Sequence, residues 1–358
     1  MADPADIPHL DEIEGWPLPE AQAEWLGDPA PESALIDAYQ SGRMHHAWLI
    51  GGVRGSGKAT LAYRFARFAL AHPTPGLAAA SDRRPIPPNH PVFRKIAARA
   101  HPNVLTLTRP WDERAKRYKT DLSVDEVRRT VSFFGSTAGE AGWRICIVDA
   151  ADDMNANSAN ALLKVLEEPP PRSLFLVLAH QPGRLLPTIR SRCRRLELPP
   201  LTPEAIGTAL AEHEPDVDPG DRALAAHAAE GSLRRAISML RGEGVAVRRD
   251  FSMIAARLPD LDIAAAHRLG DLVAQRGTSD AFESFVDTVR DWLARRVGGT
   301  DEPDGLAVST AVGATPLASY AEVWEKFGDA AARTEALNLD KKQFVLSTLM
   351  DLARATRM

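Results

Sequence analysis

An α/β core of parallel strands, followed by two helical domains, is the fold class this 358-residue sequence predicts. Three observations carry it. A glycine-rich turn, Gly51-Gly52-Val53-Arg54-Gly55-Ser56-Gly57-Lys58, joins the apolar run at 47–50 to a helical pattern. Two further apolar runs, 144–149 and 174–178, flank a helical stretch, and strand–helix–strand alternation implies parallel βαβ units. From Leu198 onward strand signals fade, and Ala-rich helical patterns run to the end.

The elements follow in order. Residues 1–25 are Pro- and acid-rich and predict an extended tail. A helix at 31–43 leads to a strand at 46–50. After the glycine turn, Leu61, Phe65 and Phe68 recur at helical spacing and predict a helix over 58–70. The stretch 71–102 contains Pro73, Pro75, Pro85, Pro87 and Pro88 and is expected to be a surface excursion. Residues 104–108 alternate like a strand, and 111–119 predict a loop or hairpin. Ser123 followed by Glu126 has the form of a capping box, opening a helix through Val127 and Val131 to about Phe134. Strands at 144–149 and 174–178 enclose a helix at 158–168, stopped by Pro169-Pro170-Pro171. Pro199–Pro203 and Gly242–Gly244 mark boundaries. The expected organisation is a tail at 1–25, an α/β core at 26–199, a small helical lid at 200–243 and a helical collar at 244–358.

Composition narrows the classes. A net charge of −5 argues against a chain that coats nucleic acid by bulk charge. Cys146 and Cys193 are the two cysteines; neither sits in a CxxC or a Cys/His cluster, and this usage fits a reducing cytosol. Cys146, inside an apolar run, is expected to be a small core residue. The N-terminus has no apolar segment of signal-peptide type, and no run of eighteen or more apolar residues predicts a membrane span. A cytoplasmic protein is expected.

The chemistry-bearing residues begin with the glycine turn. Gly52, Gly55 and Gly57 let backbone N–H groups close around a phosphate at a helix N-terminus, and Lys58 can reach the outer phosphates. That is the layout of a P-loop with one part missing. The next position must carry a hydroxyl to hold Mg²⁺, and here it is Ala59. Thr60 is one residue further, turned by about 100° around the helix, and is badly placed to substitute. Asp149 ends an apolar strand, where a Mg²⁺-directing carboxylate sits in P-loop proteins; the neighbour that could position the attacking water is Ala150. Three more strings stand out: Asn160-Ala161-Leu162-Leu163-Lys164-Val165-Leu166-Glu167-Glu168-Pro169-Pro170, then Ser191-Arg192-Cys193, then Gly231-Ser232-Leu233-Arg234-Arg235-Ala236. On their own they are an amphipathic helix with a proline stop, a basic turn, and a helix start.

Together, in this order, and with His45-His46-Ala47-Trp48-Leu49-Ile50 ahead of them, these motifs resemble the AAA+ clamp-loader family of bacterial DNA polymerase III over residues 40 to 240. The departures Ala59 and Ala150 resemble its non-hydrolysing delta-prime branch, since the motor subunits need a Lys–Thr pair and an Asp–Glu pair. The resemblance implies an AAA+ core, a lid and a collar through which subunits assemble. It implies that Arg192 is an arginine finger acting in trans on a neighbour's ATP, and that Arg234 faces the chain's own degenerate nucleotide pocket. It implies a hetero-pentamer with motor subunits and a clamp-opening subunit, acting through that complex on a sliding clamp and primed DNA, with no membrane partner. No intrinsic catalysis is expected, and ATP or ADP would bind weakly, without hydrolysis, or not at all. Many relatives carry a four-cysteine zinc module after the P-loop helix; residues 71–103 hold no cysteine, so no zinc is expected. The main alternative is an active clamp-loader-type ATPase in which Thr60 serves the metal.

Overall fold

The computed structural model describes residues 9–10, 12–74, 85–135, 142–275, 279–298 and 317–357. It divides into two compact units, 1–205 and 206–358.

The first unit is built on a five-stranded sheet. Its elements are α1 (Pro29–Gln40), β1 (Ala47–Gly51), α2 (Lys58–Ala71), α3 (Pro91–Ala97), β2 (Val104–Leu107), β3 (Trp111–Asp112), β4 (Arg117–Tyr118), α4 (Val124–Gly135), β5 (Arg144–Val148), α5 (Ala156–Glu167), β6 (Ser173–Ala179), α6 (Pro187–Arg192) and β7 (Arg194–Glu197). The strand order is β2-β5-β6-β1-β7, with every pairing parallel. The two short strands β3 and β4 form a separate antiparallel hairpin, closed by Trp111 edge-on to Tyr118 at 5.2 Å.

Period-2 geometry sorts the strand side chains onto two faces. Trp48, Ile50, Ile145, Ile147, Leu174, Leu176 and Leu178 pack with Leu35 and Tyr39 of α1, Leu61 and Phe65 of α2, and Ile96 of α3. Leu49, Cys146, Val148, Phe175 and Val177 pack with Val127 of α4, Leu162 and Leu166 of α5, and Ile189 of α6. A sheet covered on both faces is the usual setting for parallel strands, and it explains why 144–148 and 173–179 are continuous apolar runs. Cys146 is part of that core, and burial pushes its thiol well above the ordinary range, which makes it inert.

Local chemistry sets several ends. Asn155 caps α5 by accepting from the N–H groups of Asn157 and Ser158, so the helix starts two residues before the predicted 158. Ser123 accepts from Glu126 N–H at 3.4 Å, but the Glu126 carboxylate lies 2.6 Å from Arg129. Its charge is engaged along the helix.

Two stretches differ from their expectations. The proline-rich excursion at 71–102 contains α3, which buries Phe93 and Ile96; part of the stretch, 75–84, lies outside the described residues. Residues 12–25 hold no helix or strand, yet they are not detached. Glu20 is 1% exposed and ion-pairs with Arg99. Arg67 donates to the carbonyls of Glu20 at 3.0 Å and Gln22 at 2.7 Å, and Arg64 donates to that of Ala23. A buried carbonyl without a partner is costly. These arginines provide the partners, so a polar strand-less segment is strapped to the outside of α2.

The second unit holds α7 (Pro203–His213, which begins at the division), α8 (Pro219–Ala228), α9 (Leu233–Arg241), α10 (Gly244–Ala255), α11 (Ile263–Ala274), α12 (Ser279–Gly298), α13 (Leu317–Ala336) and α14 (Lys341–Arg357). α10 to α14 share one core, in which Phe251, Phe285 and Phe344 meet edge to face. Ion pairs stitch α12 to its neighbours: Arg235 of α9 to Asp287 at 3.0 Å, and Arg248 of α10 to Asp291 at 3.1 Å. No helix among the described residues is long and apolar enough to cross a membrane.

Candidate functional site

The glycine turn runs from the C-terminal end of β1 into α2. Three backbone positions need glycine: Gly52, Gly55 and Gly57 have φ of 151°, 80° and 92°. A Cβ at Gly52 would come 2.8 Å from the carbonyl oxygen of Leu198. Gly57 is the left-handed N-cap of α2, so the free N–H groups of a fourteen-residue helix open onto the turn. Ser56 is fully buried, and its hydroxyl donates to Val53 O at 2.9 Å, closing the loop from within.

Lys58 is 4% exposed, and its Nζ donates to Gly52 O and Val53 O, both at 2.8 Å. The ammonium occupies the turn's own carbonyls. Ala59 packs as a partly buried residue against the core under α2, and Thr60 follows it on the helix. The indole of Trp25, at the end of the strapped segment, covers Gly57: a Cβ there would lie 3.3 Å from its ring.

The parallel registers bring the other parts to the same edge. β6 pairs with both β1 and β5, aligning Gly51 with Ala179 and Val148 with Val177. The turn, Asp149 and the residues after Ala179 therefore lie at the carboxyl ends of neighbouring strands, where ligands bind in open α/β sheets. Asp149 is half-buried and its N–H donates to Leu107 O at 2.9 Å; Ala150 beside it is buried. Asp152 accepts from the N–H groups of His180 and Gln181 at 3.0 to 3.1 Å, fastening the end of β6 to the end of β5. Asp153 pairs with Arg109 at 3.2 Å; burial raises its carboxyl above the usual range and Arg109 opposes that. Neither contact was foreseen from the sequence, where Asp152 and Asp153 are two more acids after a strand.

This arrangement fits a phosphate in shape. It does not provide the ligands a metal–nucleotide needs at positions 59 and 150. Among the described residues, no group of three or more His, Cys, Asp or Glu could hold a metal ion.

Arg192 ends α6. Its Nη1 donates to Thr188 O at 3.0 Å and its Nη2 lies 2.9 Å from Glu167 Oε1, at the last residue of α5. The neighbouring arginines are placed otherwise: the Arg194 guanidinium lies over the Trp48 ring at 4.7 Å, and Arg195 is exposed on β7. Cys193 is buried and its thiol is pushed up to about 11. Arg234 lies on α9 in the helical unit, half-buried, two residues after the Ser232 cap.

A family model described as DNA polymerase III, delta subunit, matches residues 27–202. Over those residues the α/β unit of this chain is similar to that family. Among curated relatives, DNA polymerase III subunit delta' of Pseudomonas aeruginosa is 34% identical over 226 residues, covering 63% of this chain and 65% of the relative. Subunit delta' of Escherichia coli is 31% identical over 209 residues, or 58% of each chain. Subunit tau of Escherichia coli is 30% identical over 226 residues, 62% of this chain and 32% of that protein. The matched segments thus span less than two thirds of these relatives. Identity separates the delta' and tau relatives by at most four percentage points.

Proposed function

We propose that this chain is a non-hydrolysing, delta-prime-type subunit of the clamp loader of DNA polymerase III, working in the cytoplasm in DNA replication. One observation carries the reading. The P-loop geometry is intact, with its three positive-φ glycines and a buried lysine, while alanine stands at both positions that should hold metal and direct water. A loop kept for hydrolysis would keep those groups; a loop kept for architecture need not. ATP or ADP would bind weakly or not at all, and zinc would be absent.

In this reading the chain sits in a five-membered ring with motor subunits and a clamp-opening subunit, which places a sliding clamp on primed DNA. Arg192 reaches the nucleotide of the adjacent motor subunit. Its guanidinium stays charged and presents a planar fork to phosphate oxygens. Gly52, Gly55, Gly57, Lys58 and Asp149 line the chain's own inactive pocket. The test is DNA- and clamp-stimulated ATPase of the reassembled complex. Arg192→Ala should assemble normally and lose turnover, an arginine finger being worth on the order of 10³–10⁵ in rate. Arg194→Ala and Arg195→Ala should behave as parent. Parent-like turnover of Arg192→Ala, with losses in the other two, would remove the finger assignment.

A further inference from the structure

We propose that Glu167 is a positioning residue for Arg192, holding the guanidinium in one direction before a partner's phosphate arrives; the proposal rests on the finger reading above. The two side chains come from different helices. α5 ends at Glu167 and is stopped by Pro169-Pro170-Pro171, while Leu166, 1% exposed, anchors its last turn in the core. α6 is anchored by Ile189, which is fully buried. Both ends of the contact are therefore fixed by packing. What remains free is the long arginine side chain, which is 35% exposed.

Two contacts remove most of that freedom. Thr188 O takes Nη1 and Glu167 Oε1 takes Nη2, so both terminal nitrogens are held. A guanidinium has five N–H donors, and these contacts leave others for a phosphate oxygen. As a source of stability the Glu167–Arg192 pair is minor, because half-exposed pairs contribute little. Its effect is on geometry. A finger that must be searched for among rotamers pays entropy when it engages, and a held one has paid it in advance. The opposing effect is the negative charge of Glu167, which competes with phosphate for the same cation. The proposal asserts that preorganisation outweighs that competition.

The experiment uses the complex reassembled with full-length chains, comparing parent, Glu167→Ala, Arg192→Ala and the double variant by stimulated ATPase. Glu167→Ala should assemble with unchanged thermal stability, since Glu167 is half exposed. Its kcat should fall by about 3- to 10-fold with little change in KM, because a misdirected group loses rate at the chemical step. Added to Arg192→Ala, it should cost nothing more, since residues acting through one another are not additive. Glu167→Ala turning over at or above the parent rate, while Arg192→Ala is impaired, overturns the proposal, as does an equal further loss in the double variant. If Arg192→Ala itself turns over like the parent, the finger reading has failed, and the positioning role with it.

Discussion

Lys58 Nζ sits 2.8 Å from the carbonyl oxygen of Val53, inside the turn that the lysine is expected to serve. With Gly52 O at the same distance, the ammonium already has two partners from its own loop. A phosphate must draw it away from both. In a working site, metal binding through the next hydroxyl would help offset that loss; Ala59 offers none.

The isolated chain is therefore expected to show no ATP turnover above a Lys58→Ala control in a steady-state assay. Ala59→Thr alone should not restore it, because Ala150 still leaves the attacking water undirected. Ordinary ATPase rates in the parent, abolished by Lys58→Ala, would contradict the reading and favour the alternative in which Thr60 serves the metal.

No tightly held zinc is expected either. The histidines of 71–103 each have Nδ1 engaged locally, on separate segments: His72 Nδ1 is 2.9 Å from Phe68 O, His90 caps α3 by accepting from Val92 N–H at 3.2 Å, and His101 Nδ1 accepts from Asn103 N–H at 3.2 Å. A structural site needs about four ligands converging on one point. Elemental analysis after dialysis against a chelator decides it; one zinc retained per chain would refute the expectation.

The strap over α2 depends on Arg67. Its guanidinium holds two backbone carbonyls and lies over the Phe93 ring at 4.4 Å. Burial lowers its pKa to about 10, which leaves it charged at neutral pH. Arg67→Ala should destabilise the α/β unit by roughly 1–3 kcal/mol, the cost of leaving buried polar groups unpaired. Arg67→Lys should recover only part, lacking the fork. Urea unfolding would show the difference, and limited proteolysis should open first within residues 12–25 in the variant. An unchanged urea midpoint would mean the strap is not fastened there.

In the helical unit, burial lifts the Asp291 carboxyl from 3.8 to about 6; the charge of Glu230 adds to the rise, and Arg248 opposes it. A carboxyl raised on folding binds its proton more tightly in the folded state. Its contribution is complete below the unfolded value and is lost as pH rises through the folded one. The stability of the parent relative to Asp291→Asn should thus decline between about pH 4 and pH 6.5. Thermal unfolding of both proteins across that range measures it. A difference that stays constant would rule out Asp291 as the titrating group.

The sequence determined what is local. Alternation, helical spacing and a glycine turn each act within a few residues, and they placed β1, α2, α4, β5, α5 and β6 with their ends within about two residues. They also placed the turn on β1 and marked Ala59 and Ala150 as departures. Tertiary structure alone decided what joins distant segments. It set β1 between β6 and β7 and left the hairpin of β3 and β4 outside the sheet. It also buried Glu20, from a tail whose composition predicts solvation, because arginines on α2 and beyond satisfy its backbone and charge. α3 escaped because seven residues behind a proline are too few to establish a period. Glu167 and Arg192 are two charges in two separate motifs until α6 packs against α5. No local pattern encodes that pairing, since it depends on how two buried faces fit, and side-chain spacing along one helix carries no information about the helix beside it.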